Sequence, residues 1–504
     1  MIASVLSAVL TGIDGRPVRV EVHVSSGLPG LTVVGLPDAA CRESRDRLRA
    51  AFISSGLAWP LRRVTVNLAP SGISKSGSGL DLPMAVGLLA ATGQVPAGGL
   101  GDCGFIGEVG LDGSLRPVAA TLPLVAGLAT RAVVVPTASA AEAALAGVVV
   151  RPVGSLTELV GCLRGERGWS DQRPTAAPTP PPGAGPDLSE VRGQRVGRWA
   201  LEVAAAGGHH LLMVGPPGSG KTMLAERLAG VLPPLDDAAA LEATKVHSAA
   251  GRPAGEGLVR RPPFRAPHHS ATMASMLGGG SRALRPGEIS LAHNGVLFLD
   301  ELGEFPAAVL DGLRQPLEEG RITVCRAAER VTFPARFLLV AATNPCPCGE
   351  GMTPGACRCG SWATARYARR LSGPLLDRFD LRVPVDRPDY DQLLSADPAE
   401  PSAAVAARVG RARAIARQRG VAANAGIAVA HLDRLAPLGP AAARLLERQV
   451  RSGSLTARGM ARIRRVARTL ADLAGVEGPV EEAHLAAALS LRSGWESLWG
   501  GRAD

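Results

Sequence analysis

The chain has 504 residues, a formal net charge of +10 and 46% hydrophobic residues. That length is too great for one hydrophobic core, so several domains are expected, and no apolar run reaches the ~20 residues that cross a bilayer. The positive charge favours a polyanionic partner, although lysine stands only at Lys75, Lys221 and Lys245 while arginine is spread throughout, a bias that a GC-rich genome produces equally well.

Met1–Leu10 is mildly apolar but lacks a basic flank and a cleavage site. That argues against a signal peptide and, with no membrane span, for a cytoplasmic protein. Val18, Val20, Val22 and Val24 alternate with polar residues and predict a half-buried strand, as do Val64, Val66 and Leu68. Asp38 is placed to cap a helix running to about Ser55. Leu82–Ala91 reads as a buried helix and Ala132–Val135 as a buried strand. Residues 1–164 therefore form a first α+β or α/β domain. Residues 165–186 contain PTAAPTPPPGAGP, a proline-rich linker with little to pack. From about Asp187 a helix (Arg195–Ala206), a strand (Leu211–Val214), a glycine-rich loop and a helix (Lys221–Leu232) follow in turn. Two more buried strands, Val296–Leu299 and Phe337–Ala341, point to a parallel α/β sheet over 187–385. Residues 386–504 are rich in alanine and arginine. Their expected helices cover Ala403–Arg419, Ala441–Gly453, Thr456–Ala474 and Glu481–Ser490.

The glycine-rich loop reads Gly215, Pro216, Pro217, Gly218, Ser219, Gly220, Lys221, Thr222. This is the P-loop pattern, and each residue type has a reason. Glycines let the backbone turn its N–H groups toward phosphates, and the following helix presents its positive end to the same anion. Lys221 reaches the outer phosphates of ATP, and the Thr222 hydroxyl is a ligand for Mg²⁺. The second half is Val296–Leu299 followed by Asp300 and Glu301, two carboxylates at the carboxyl edge of a buried strand. Asp300 is expected to hold the Mg²⁺ shell, and Glu301 to polarise the attacking water. The pair of motifs predicts an ATP-hydrolysing enzyme.

Eight cysteines are too few for a disulfide scaffold of this size. Four of them crowd together as Cys346-Pro-Cys348 and Cys357-Arg-Cys359. Four thiolates this close can surround Zn²⁺, while the tight CxC spacing also suits redox thiols or plain turns. His268 and His269 have no carboxylate or thiol at ligand spacing in the sequence, so a structural or substrate-facing role is expected of them rather than metal binding. Arg321–Phe333 reads as a hairpin, with Ile322 and Val324 alternating on one arm and Val331 and Phe333 on the other, and with Arg326 and Arg330 near the turn. Arginines there can follow a phosphate backbone without reading sequence, or simply solvate the tip.

Gly35-Leu-Pro-Asp38, Asn67-Leu-Ala-Pro70, Asp81-Leu-Pro83, Ala204-Ala-Ala-Gly-Gly-His209, Phe264-Arg-Ala-Pro-His-His269, Gly287-Glu-Ile-Ser-Leu-Ala-His-Asn-Gly295 and Ala342-Thr-Asn-Pro-Cys-Pro-Cys-Gly349 carry a wider likeness. Through them the chain resembles the Mg-chelatase-like AAA+ ATPases of the ComM/YifB family over nearly its whole length. The resemblance implies a Lon-protease-like α+β domain over 1–164, an AAA+ core over 187–385 and a helical lid over 386–504. It implies that Asn344 is sensor 1, that Arg378 is an arginine finger offered to a neighbouring subunit, and that Arg458 is sensor 2. A finger in trans implies a homo-hexameric ring. The residues around Ala249–Asn294 resemble the helix-2 insert of this clade, with Gly278-Gly-Gly280 suggesting a mobile pore loop, and the Arg321–Phe333 hairpin would line the channel.

A Lon-like domain raises a protease reading, and the residues oppose it. Gly79 stands where the family's serine nucleophile belongs, the general-base lysine falls near Leu122, and Lys75 is the only lysine in the domain. Three activities stay open. The first is a motor on single-stranded or branched DNA that drives branch migration without sequence preference, in recombination or natural transformation. The second is a magnesium-chelatase-type metal-insertion subunit, against which the first domain argues. The third is a protein remodeller.

Overall fold

The computed structural model describes residues 1–172, 185–252, 257–280, 284–326, 329–352, 355–370, 373–388, 391 and 399–493. Most of the expected 165–186 linker lies outside them. Its first residues are described and stay with the first sheet: Gln172 exchanges backbone hydrogen bonds with Val150, and Trp169 packs on the core under the Arg151 guanidinium. A large aromatic side chain with a neighbour to cover it holds this stretch to the domain.

The chain begins with a hairpin of β1 (Ile2–Thr11) and β2 (Asp14–Ser25). The apolar start is thus a strand whose alternate residues Val5 and Val9 are buried. In β2, Val18, Val20, Val22 and Val24 all turn inward, as the period-two pattern requires. β3 (Gly30–Val34) leads to α1 (Ala39–Ser54), where the Asp38 carboxylate accepts from the Cys41 amide at 2.8 Å. After β4 (Arg63–Ala69) comes α2 (Asp81–Ala91), buried along its whole length. A Cβ at Gly87 would lie 2.6 Å from the Val22 side chain, so glycine is what lets this helix press onto the sheet. β5 (Cys103–Phe105), β6 (Ala132–Pro136) and β7 (Val149–Val153) complete a seven-stranded mixed sheet in the order β3-β4-β2-β1-β5-β6-β7.

Lys75, the only lysine of this domain, and Ser78, the serine next to Gly79, are engaged separately. The buried Lys75 amine donates to the Pro70 carbonyl, and the Ser78 hydroxyl donates to Glu108.

The second region carries α3 (Arg195–Gly207), β8 (Leu211–Val214), α4 (Lys221–Val231) and α5 (Asp237–Ala249). Its strands are β8, β9 (Phe264–Arg265), β10 (Val296–Leu299), β13 (Leu338–Thr343) and β14 (Leu381–Pro384). β11 (Arg321–Arg326) and β12 (Glu329–Pro334) form the expected antiparallel hairpin, pairing Ile322 with Phe333 and Val324 with Val331. The main sheet is parallel, in the order β9-β10-β13-β8-β14. β8 and β10 therefore flank β13, which sets the ends of the two nucleotide motifs on either side of Asn344. Gly278 and Gly279, expected in a mobile loop, pair with Arg285 and Pro286 in a short antiparallel ladder. The intervening 281–283 lie outside the described residues.

The third region is helical: α6 (Ser402–Gln418), α7 (Pro440–Arg451), α8 (Ala457–Leu473) and α9 (Glu482–Ser493). It shares one apolar cluster with α3, α4 and the sheet, so these helices sit directly behind the parallel strands. No helix among the described residues is long and apolar enough to cross a membrane.

The first region touches the second through the β1–β2 turn. Ile13 joins Val246, Ala249, Leu291, Val331 and Phe333 in one buried cluster, and Lys245 pairs with Asp14 at 3.5 Å.

Candidate nucleotide site

β8 is wholly buried and runs straight into the loop. Gly215 donates its N–H to the Thr343 carbonyl at 3.1 Å, and a Cβ there would strike the Val385 carbonyl, so the loop begins pinned between β13 and β14. Gly218 (φ +74°) and Gly220 (φ +89°) adopt left-handed conformations that glycine takes without steric cost. They turn the loop into α4, whose first residue is Lys221.

The Lys221 amine donates to the Gly215 and Pro216 carbonyls at 2.8 Å each, with Ser219 Oγ at 3.4 Å and Asn344 Oδ1 at 3.5 Å. It is nearly enclosed, and burial lowers its pKa while Asp300 works against that shift. The Thr222 hydroxyl donates to Asp300 Oδ2 at 2.7 Å, and Asp300 Oδ1 accepts from the Glu301 amide at 2.9 Å. The structure thus brings together Lys221, Thr222, Asp300, Glu301 and Asn344. A hydroxyl and a carboxylate converging beside an ammonium are hard oxygen donors of the kind Mg²⁺ takes, next to a cation suited to phosphate, so the residues fit an Mg²⁺–nucleotide group.

Glu301 sits at φ +52°, a left-handed conformation uncommon for a residue with a Cβ and concentrated at functional sites. Its carboxylate lies 3.2 Å from His269 Nδ1, and the His269 ring lies against His268, tilted by 34° with 4.0 Å between centroids. The carboxylate comes from a segment distant in sequence, not from one at ligand spacing. β9 runs parallel to β10, so the chain leaving β9 arrives over the end of β10. The sequence signal was present in Phe264–His269, but only the sheet order shows where that segment goes.

Arg378 is 13% exposed and ion-paired within the chain to Glu318. Burial lowers its pKa, and the neighbouring positive charges of Arg462 and Arg458 add to that shift. Arg458 is exposed in the first turn of α8, one residue after which Gly459 donates to the capping Thr456 hydroxyl. Neither arginine hydrogen-bonds or ion-pairs with Lys221, Asp300 or Glu301 among the described residues. Arg330 is exposed on the hairpin, while the side chain of Arg326 lies outside the described residues.

A buried polar group that sequence reasoning missed links the sheet to the helices behind it. The Arg462 guanidinium donates to Asp380 Oδ1 at 2.6 Å and to the Arg378 carbonyl at 2.8 Å. His209 bonds Thr469 of α8 at 2.8 Å, and its other ring nitrogen faces Asp380 at 3.7 Å. Burial by itself raises the Asp380 pKa, but His209 and then Arg462 outweigh it and hold the carboxyl well below the usual range. His210 accepts the Leu339 amide of β13 through Nδ1 at 3.0 Å, which requires an unprotonated nitrogen. Burial pushes its imidazole down to about 4.

The folded pKa of His210 lies below the unfolded value of about 6.5, so its contribution to stability is complete above that pH and is lost as pH falls toward 4. Stability measured by denaturant midpoint should therefore drop between pH 6.5 and 4 by up to about 1.4 kcal/mol per pH unit from this group. His210→Asn, whose amide oxygen can still accept from Leu339, should flatten that slope. Asp380 acts separately, because a depressed carboxyl withdraws its contribution only below the ordinary carboxylate range of about 3.9.

The four clustered cysteines are all present as free thiols, with every pair of sulfur atoms within 4.8 Å. Their loop begins two residues after Asn344.

Comparison with known proteins gives a consistent picture. The profile of the family described as "Magnesium chelatase, subunit ChlI" matches residues 187–393. Those of "Subunit ChlI of Mg-chelatase" and "Magnesium chelatase, subunit ChlI C-terminal" match 20–139 and 399–492. An uncharacterized protein of Mycobacterium tuberculosis is 45% identical over 498 residues, covering 96% of this chain and 97% of its own. YifB of Escherichia coli is 42% identical over 489 residues, covering 96% and 95%. The competence protein ComM of Haemophilus influenzae is 41% identical over 499 residues, covering 98% and 97%.

Proposed function

Because the chain belongs to the Mg-chelatase-like ComM/YifB family, we propose that it is an ATPase motor of the AAA+ class that works as a hexameric ring on single-stranded or branched DNA. The observation that carries the ATPase part is the bond from Thr222 to Asp300 with Lys221 and Asn344 alongside, which joins the two nucleotide motifs across one sheet.

In this reading the loop amides and Lys221 bind the phosphates, and Thr222 and Asp300 hold Mg²⁺. Bound Mg²⁺ offsets charge on the phosphate oxygens. Glu301 accepts the proton of the attacking water, and Asn344 orients that water from the end of β13. His269 holds the Glu301 carboxylate in place. His269→Ala is expected to lower kcat roughly fivefold, the loss of one partly exposed polar contact of about 1 kcal/mol, without changing ATP affinity. A changed Kd for ATP would move His269 from positioning the base to binding nucleotide.

Support for DNA as the substrate is of three kinds. A relative that aligns over nearly the whole chain is named a competence protein. The net charge is +10. The hairpin β11–β12 carries Arg326 and Arg330 at its free end, where Cα register pairs Arg326 with Glu329 and Cys325 with Arg330. The first region is read as a Lon-protease-like accessory without peptidase activity, which accords with the separate engagements of Lys75 and Ser78. The helices α6–α9 are read as the lid, with Arg458 as sensor 2. Branch migration of a synthetic four-way junction, with ATPase stimulation by forked DNA, tests the reading. An ATPase indifferent to DNA but stimulated by unfolded protein would replace it with a protein remodeller.

A further inference from the structure

Cys346, Cys348, Cys357 and Cys359 form the tightest cluster of potential metal ligands among the described residues, and ATP hydrolysis does not use them. The sulfur of Cys346 is 3.4 Å from that of Cys348 and 3.7 Å from that of Cys357, and Cys348 to Cys357 is 3.8 Å. A disulfide needs about 2.05 Å, so these are not bonded pairs. A single metal with tetrahedral bonds of about 2.3 Å to four thiolates requires sulfur edges of about 3.8 Å; the three edges among Cys346, Cys348 and Cys357 run from 3.4 to 3.8 Å, and the Cys359 sulfur lies within 4.8 Å of each. The surroundings are those of a ligand rather than of a packed thiol. The backbone amides of Glu350 and Arg358 both point at the Cys348 sulfur, and Cys348 and Cys357 are exposed while Cys346 is 1% exposed.

The cluster is also fastened to the nucleotide loop. Gly349 lies inside the first CxC turn, donating to the Cys346 carbonyl at 3.0 Å. It packs so closely on the P-loop that a Cβ would fall 2.5 Å from Pro217 Cδ. The next residue, Glu350, pairs with Arg387 at 2.7 Å, and Arg387 donates in turn to the Pro217 carbonyl at 3.3 Å. Asn344, beside Lys221, precedes the first of these cysteines by two positions.

We propose that the four cysteines bind one Zn²⁺ and that this centre braces Pro217 and Asn344 for nucleotide binding. The metal has a structural task, since four protein thiolates leave no open position. The bracing half rests on the nucleotide reading of the site, whereas the metal half stands by itself. The test starts from the purified full-length chain. Elemental analysis should find one zinc per chain, released on titration of the thiols with an organomercurial. Cys357→Ser and Cys359→Ser should lose zinc, while Cys325→Ser, at an exposed thiol outside the cluster, should keep it. Absence of zinc from the wild-type chain, or iron in its place, overturns the site whether or not any variant folds.

For the brace, binding of a fluorescent ATP analogue to zinc-free Cys357→Ser should weaken roughly tenfold or more, provided its circular dichroism matches wild type. Equal affinity would overturn the brace and leave the metal. Failure of the wild-type chain to bind the analogue would instead indict the nucleotide reading, with the zinc content unaffected.

Discussion

Glu301→Gln is expected to bind ATP with wild-type affinity and to hydrolyse it about 10³-fold more slowly, because the amide cannot take the proton of the attacking water. The substitution is nearly isosteric. The left-handed backbone at Glu301 and the bond from its amide to Asp300 do not depend on the side-chain charge, so the fold and the Mg²⁺ ligands stay in place. Single-turnover hydrolysis and equilibrium binding of ATP separate the two effects. Branch migration should vanish together with hydrolysis. Hydrolysis at the wild-type rate would remove Glu301 from the role of base, and lost binding would make it a metal ligand. His269 sharpens the reading: if it acts only through Glu301, His269→Ala should have no further effect in the Glu301→Gln background, a non-additivity expected of residues that work as a unit.

Arg378→Ala is expected to cost about 10³-fold or more in hydrolysis, the range found where an arginine stabilises the transferring phosphoryl group. Within one chain this guanidinium is held by Glu318 and makes no hydrogen bond or ion pair with Lys221 or Asp300 among the described residues. The loss should therefore arise between subunits, and mixing exposes it. Neither Arg378→Ala nor Glu301→Gln hydrolyses ATP alone, yet a mixture contains interfaces with an intact base from one chain and an intact arginine from the other. Recovered ATPase on mixing, at a concentration that supports assembly, is the expected result. A mixture as inactive as its components would confine the function of Arg378 to the ion pair with Glu318. Glu318→Gln serves as control, since it frees the arginine without removing it.

Much of this arrangement was legible from residue patterns. Alternating valines placed β2 on the sheet with the correct face inward, and the P-loop and Asp300–Glu301 motifs named the residues that converge. Both signals are local: a period of two, or a fixed spacing around one turn. What escaped depends on which strands become neighbours. His269 meets Glu301 only because β9 lies beside β10, and nothing within Phe264–His269 states that pairing. His209, His210, Asp380 and Arg462 form their buried group from segments far apart in the chain. The Arg378–Glu318 pair and the contact of Gly349 with Pro217 are of the same kind. The apolar beginning of the chain was uninformative because β1 is buried unevenly, with Ala8 and Val9 inward in succession.

The turn between β1 and β2 reaches the root of the β11–β12 hairpin through Ile13, Val331 and Phe333. Sliding the hairpin out of register with that turn would wet the Ile13 side chain, at a cost of about 2 kcal/mol. The first sheet and the hairpin are consequently geared together. Load borne at the arginine-bearing tip has a mechanical path into the amino-terminal sheet, and trimming Ile13 to alanine would slacken that gear without touching the phosphate pocket.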